Sequence, residues 1–140
     1  MAILKPVVES QVEISLSRDD GSMRYDRSFT AISELIAHRF GAEVTYDPIT
    51  IESVFDPIFH KDLLAYCVDA FKDPEKHRDT FTIALSMRHS HGSEQGTRAQ
   101  YEITGCQLIG FSFPKFDRNV GDAAKFKLCF RPSGLSKLLT

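Results

Sequence analysis

The sequence predicts an α+β fold dominated by antiparallel sheet, and three observations predict it. Two β-prone runs lie between Tyr101 and Arg131, separated by a polar connection that contains Asn119 and Gly121. In the second run Phe126, Leu128 and Phe130 alternate with Lys125, Lys127, Cys129 and Arg131, the period of two expected of a strand with one buried and one wet face. A sheet wet on one side favours antiparallel pairing. The third observation is order: strand patterns open and close the chain, helical patterns lie between them, and no repeat or linker divides it. One domain spanning residues 1–140 is therefore expected.

In chain order, Val12, Ile14 and Leu16 alternate with Glu13, Ser15 and Ser17 until Asp19, Asp20 and Gly21 break the run, a hairpin signal. The return strand carries Met23, Tyr25 and Phe29 on its apolar side, with Arg24 and Asp26 opposite. From Thr30 the period changes: Ile32, Leu35, Ile36 and Phe40 sit at helical spacing and Gly41 is placed to end a helix. Val44, Thr45 and Tyr46 suit a strand.

The segment DPITIESVFDP, Asp47 to Pro57, holds Ile49, Ile51, Val54 and Phe55 between two Asp-Pro pairs. It reads either as a strand under a local flap or as a contact arm that buries these four residues on a neighbouring subunit, since contiguous exposed apolar surface marks interfaces. Asp56 as N-cap and Pro57 as first helical residue open the next helix, whose stripe is Leu63, Leu64, Cys67, Val68 and Phe71. Phe81, Ile83, Leu85 and Met87 mark a clear strand, and the polar HSHGSEQGTR that follows reads as a turn or flexible loop. Tyr101 and Ile103 share a buried face with Ile109, Phe111 and Phe113, after a phase change near Gly105 and Cys106.

The chain of 140 residues is 42% hydrophobic, enough for one core. A net charge of -2 with 26% charged residues gives no global attraction to nucleic acid or anionic lipid. Cys67, Cys106 and Cys129 lie far apart without a CxxC, which argues against a disulfide framework or zinc ribbon and suits a reducing compartment. The opening MAILKPVVES lacks the pattern of a signal peptide, and no membrane partner is expected.

His89 and His91, with His60 and His77 elsewhere, carry the type of ligand that binds zinc, but HxH in a Ser/Gly setting falls short of the three or four convergent ligands a site needs. Arg88, Arg98, Lys125, Lys127 and Arg131 lie near aromatics, yet cation and aromatic alternate and so point to opposite faces, whereas nucleic-acid stacking needs both on one face. GxSxG, HExxH, phosphate-loop and GxGxxG patterns are absent from the sequence. Asp19 and Asp20 sit in a turn that explains them. Neither catalysis nor a cofactor or metal is expected.

The order of SQVEISLS, a turn and second strand, an apolar arm, a helix at HKDLLAYCVDAFKD, and the terminal pair YEITGCQLIGFSF and AKFKLCFRPS resembles the tail tube proteins of contractile-tailed bacteriophages. It is also similar to the haemolysin-coregulated tube protein of type VI secretion. The helical pattern from Ala31 to Phe40 departs from that family, which more often has a strand or irregular segment there. The resemblance implies a β-sandwich or partly closed barrel with a flanking helix, assembled as hexameric rings that stack into a hollow tube. It further implies sheath, baseplate hub and tape measure as partners, genomic DNA passing through the lumen without sequence-specific binding, and residence in the virion after synthesis in the host cytoplasm. Two other readings stay open: a baseplate-proximal or tail-completion component, and a small ligand-binding or hydrolytic α+β enzyme with its pocket beside His60, His77, His89 or His91.

Overall fold

The computed structural model describes residues 12–75, 78–91, 94–116, 118–119, 121 and 123–138. Its elements follow in the order β1 (Val12–Arg18), β2 (Arg24–Phe29), β3 (Ala31–Ile32), β4 (Ala37–Phe40), β5 (Glu43–Tyr46), β6 (Ile49–Val54), α1 (Lys61–Lys72), β7 (Thr80–His91), β8 (Glu94–Ser112), β9 (Lys125–Arg131) and β10 (Gly134–Leu138). The main sheet is antiparallel, in the order β2-β1-β7-β8-β9-β6-β3, with β10 paired to β8. It curls without closing: Ser53 Oγ of β6 donates to the Ser28 carbonyl of β2 at 2.8 Å, joining opposite ends of the strand order. This is the predicted α+β class, with α1, the one helix among the described residues, beside a curled, partly closed sheet.

The long strand β8 holds the order together, and between Tyr101 and Ser112 its inward face changes twice. Between Ile103, opposite Ile83, and Cys106, opposite Phe81, β8 has one residue more than β7. A single extra residue moves all later side chains to the other face, so Ile103 and then Cys106 are buried. A second bulge between Leu108 and Gly110 restores the phase and brings Phe111 opposite Leu128. The expected phase change at Gly105 is therefore present. Ile109, expected on the buried face, is instead the second bulge and stays 41% exposed, and Phe113 is exposed as well.

β9 and β10 behave as one strand broken at Pro132 and Ser133. Arg131 pairs with Gln107 and Gly134 with Thr104, so the break lies opposite Gly105 and Cys106. Proline has no ladder donor, which places the interruption. Ser133 refills the gap, its amide donating to Thr104 O at 3.0 Å and its hydroxyl to Gly105 O at 3.0 Å.

The β1–β2 hairpin forms as predicted, with Gly21 at φ +81° in its turn and the Asp20 carboxylate accepting from the amide and hydroxyl of Ser22. β2 carries two extra residues opposite the step from Ile14 to Leu16. An even number preserves the phase, so Tyr25 and Phe29 are both buried. Arg27, at φ +56°, marks this irregularity, and its amide is bound by Ser15 Oγ at 2.9 Å.

Three expectations are corrected. The helix expected from Thr30 to Gly41 is β3, a link and the β4–β5 hairpin. The Thr30 and Ser33 amides donate to Glu52 O and Thr50 O, committing that backbone to β6, and Gly41 at φ +63° turns the hairpin instead of ending a helix. The helix α1 starts a turn later than expected: Asp56 Oδ1 accepts from the Ile58 and Phe59 amides in the turn before it, and His60 is the N-cap. Its buried stripe is Leu63, Tyr66, Cys67 and Ala70, with Phe71 exposed at the margin. Within HSHGSEQGTR, read as a turn or flexible loop, His89 to His91 and Glu94 to Arg98 are paired strand instead, since β7 and β8 stay paired out to His91 opposite Glu94. The MAILKPVVES reading falls outside the described residues.

Gly105 is at φ +62°, and a Cβ there would lie 2.8 Å from Ser133 Cβ, whereas a Cβ at Gly21 meets open space. Gly105→Ala is expected to cost the roughly 1–3 kcal/mol of a strained left-handed residue plus the clash, and Gly21→Ala only the former. Urea midpoints of both variants check this, and Ser133→Gly in the Gly105→Ala background should recover part of the loss.

Candidate assembly surfaces

The four residues expected in a subunit contact divide between core and surface. Ile49 and Ile51 have no exposed area and face Phe130 and Leu128 across β9, because β6 alternates inward Ile49, Ile51 and Ser53 with outward Thr50 and Glu52. Both belong to the core of the isolated chain, which corrects the expectation that they reach a neighbour. Val54 is 42% exposed where the strand ends, and Phe55 is partly buried beside it. A contact made by this segment therefore has Val54 and Phe55 to offer.

Phe55 lies in an aromatic strip. Its ring stands edge to face with Phe113 at 5.8 Å, Phe116 at 5.7 Å and Phe126 at 6.1 Å. Phe113 continues to Phe111 at 5.6 Å, and Phe111 to Phe71 of α1 at 5.1 Å. Phe71, Phe113 and Phe116 present much of their area to solvent, with Ile109 close in sequence. Phe116 was not singled out by sequence reasoning; the density of phenylalanine in FSFPKF was the available signal.

The β4–β5 hairpin pairs with no strand of the main sheet among the described residues. Ala37 faces Tyr46, and Phe40 faces Glu43 beside the turn. None of its strand residues is buried; Phe40 is 89% exposed, and Ile36 and Val44 are exposed too. Its base is tied by His38 Nε2 to Asp47 Oδ2 at 3.0 Å and by the Asp47 amide to Ile36 O at 3.0 Å. A two-stranded hairpin without a packed face is marginal in water, so this arm has the composition of something that is covered.

The wet face follows the predicted alternation. Lys125 and Lys127 point outward from β9 and flank Glu52 at 3.5 and 3.8 Å, while Phe126, Leu128 and Phe130 point inward. Cys67 and Cys106 are buried, and burial pushes both thiols up to about 12, so neither is a nucleophile near neutral pH. His60 is sealed among aromatic rings. His77 and the side chains of His89 and His91 lie outside the described residues. No three His, Cys, Asp or Glu side chains converge as a ligand set among the described residues, and no helix there is long and apolar enough to cross a membrane.

The chain has the fold of contractile tail tube proteins. It is similar to a chain of the anti-feeding prophage baseplate (TM-score 0.62, 12% identity, 98% of each chain covered). It is also similar to a chain of the sheath–tube complex of the extracellular contractile injection system PVC (TM-score 0.59, 15% identity, 96% of this chain and 93% of that one). A third likeness is to Hcp1 from Salmonella typhimurium (TM-score 0.50, 14% identity, 93% and 86% covered). No protein-family model and no curated protein matches the sequence.

The two halves of the Ile49–Phe55 segment should respond differently to truncation. Ile51→Ala is expected to destabilise the isolated chain by about 2–5 kcal/mol through the cavity it leaves, and Val54→Ser by no more than about 0.5 kcal/mol, as for an ordinary surface change. Thermal melts followed by circular dichroism check both.

Proposed function

We propose that this chain is a structural, non-catalytic subunit that assembles with copies of itself into stacked hexameric rings, forming the tube of a contractile tail through which DNA passes. The observation that carries this reading is the β4–β5 arm, which has no packed face of its own and exposes Phe40. An arm on one subunit that seats on a different surface of the next makes a head-to-tail contact, and such contacts generate rings when the rotation closes. Val54, Phe55 and the strip through Phe113 and Phe116 supply receiving apolar surface. The likeness over nearly the whole length of chains from contractile machines supports the same reading. The partners that follow are sheath, baseplate hub and tape measure, and the place is the virion.

A second reading is a baseplate-proximal or tube-terminating component, favoured by likeness to chains of the anti-feeding prophage baseplate and tube-terminating cap. Such a subunit forms a single ring where a tube subunit stacks many. Negative-stain microscopy of the purified chain separates the two: extended tubes favour the first, isolated rings the second, and a monomer at every concentration removes both.

The arm has its own test. Phe40→Ser is expected to leave the melting curve unchanged, since an 89% exposed ring contributes little to the isolated fold. It should nevertheless abolish ring formation in sedimentation velocity, because a side chain worth roughly 1.5–3 kcal/mol on burial is lost at every contact of the ring. Rings that persist undiminished in this variant would reject the arm as a contact.

A further inference from the structure

His60 is 2% exposed, and neither ring nitrogen has a hydrogen-bond partner among the described residues. Four aromatic rings enclose it: Phe59 at 4.7 Å, Tyr25 of β2 at 5.2 Å, Phe126 of β9 at 5.2 Å and Phe29 of β2 at 6.1 Å. The residue is also the hinge between β6 and α1. Its amide donates to Asp56 O at 2.9 Å, closing the turn, and its carbonyl accepts from the Leu64 amide at 2.9 Å, opening the helix. Ile58 and Phe59 beside it are exposed, Ile58 at 85%.

We propose that His60 is a proton-operated latch: neutral, its ring pins the Asp56–His60 turn into the aromatic core, and protonation releases that turn and the first turn of α1. The latch concerns the isolated chain and does not depend on the assembly reading.

The groups around the imidazole decide the direction. On its own turn both the Asp56 carboxylate, already held by the Ile58 and Phe59 amides, and the Asp56 backbone carbonyl, already taken by the His60 amide, favour the imidazolium, and together they do not outweigh its loss of hydration. From α1 the nearby charged side chains, Lys61 and Asp62, are exposed at the positive end of the helix, where a buried cation is unwelcome. From β2 the Tyr25 hydroxyl is neutral, held up by burial, and is taken by the Leu63 amide at 3.2 Å; Arg24 and Asp26 pair with each other on the outer face. From β9, Lys125 and Lys127 point outward to Glu52, and from β6 the Ser53 hydroxyl is committed to Ser28 O. Among the described residues no carboxylate bonds the ring. Attraction of a cation to the aromatic rings opposes the penalty but is smaller than the hydration lost on sealing a charge.

Loss of hydration accordingly holds the imidazole below its ordinary value of 6.5, with the Asp56 carboxylate and backbone carbonyl pulling the other way. A histidine depressed in the folded state contributes stability that is complete above its unfolded value and is lost as pH falls below it. Opening the latch exposes Tyr25, Phe29 and Phe126, so acid converts a sealed aromatic core into apolar surface at one end of the helix.

Amide hydrogen exchange on the full chain between about pH 7 and pH 5 tests this, since histidine is the side chain that titrates there. Protection at His60, Leu63 and Leu64 is expected to fall about tenfold per pH unit below 6.5 until the folded-state value is reached, while Ile103 in the sheet holds its protection. His60→Leu, which keeps an apolar filling and removes the titration, should abolish that local pH dependence, and His38→Gln at the exposed pair with Asp47 should leave it intact. The same acid loss in His60→Leu overturns the proposal. Should His60→Leu fail to fold, nitrogen-15 spectra of the wild-type imidazole decide: a neutral ring at about pH 6 supports the latch, and a ring already charged there, as ordinary histidine begins to be, overturns it.

Discussion

One strand has to satisfy three neighbours, and the rest of the fold depends on how it does so. β8 pairs with β7 along one edge and with β10 and then β9 along the other. A regular strand of this length would carry one set of side chains on one face throughout, but the curled sheet needs Ile103, Cys106, Leu108 and Phe111 all turned toward the core side. Two single-residue bulges supply that. The first coincides with the break between β9 and β10, so the irregularities of two adjacent strands fall opposite each other and Ser133 satisfies the groups both leave open. Placing them apart would have opened the ladder twice.

Where alternation was strong, the sequence was a sufficient guide. β1, β2, β7 and β9 lie where Ile14 and Leu16, Tyr25 and Phe29, Phe81 and Ile83, and Phe126 to Phe130 placed them. Over 30–41 the spacing of Ile32, Leu35, Ile36 and Phe40 mimics a helical stripe, whereas Ile36 and Phe40 are exposed apolar residues of an arm. Periodicity assumes that apolar residues face the core of their own chain, and a residue reserved for another surface breaks that assumption. Ile49 and Ile51 are the converse case: apolar residues between prolines suggested an interface, yet β6 is hydrogen-bonded on both sides, to β9 and to the short β3, and both residues point inward. The β7–β8 extension is hidden in the sequence because glycine and serine there suggest a turn, and backbone pairing does not require apolar side chains.

Among the described residues three groups of apolar side chains stand out. One fills the core from Ile14 to Phe130; a second forms the strip from Phe71 through Phe113 to Phe116; a third sits on the β4–β5 arm. None is a motif in the catalytic sense, which is why spacing searches return nothing while the fold likeness extends over nearly the full length at 12–15% identity. A surface made of exposed rings is specified by shape and position, and many sequences meet that specification.

The arm and the strip differ in what ordering them requires. The strip takes Phe71 from α1 and Phe111 from β8 and runs on through Phe113, Phe55 and Phe116 just beyond β8 and β6, each ring already packed edge to face on another of the same chain, so covering it needs less ordering. The arm is a hairpin with no packed face, so a partner that covers Phe40 also has to hold two strands together, and part of the contact free energy goes into that ordering. A single arm contact is then weak, whereas a closed ring makes each contact intramolecular with respect to the others and raises its effective concentration. Weak pairwise contacts with strong closure favour complete rings over partial ones. Under the proposed reading as a ring-forming subunit, an arm left uncovered in the isolated chain provides that balance.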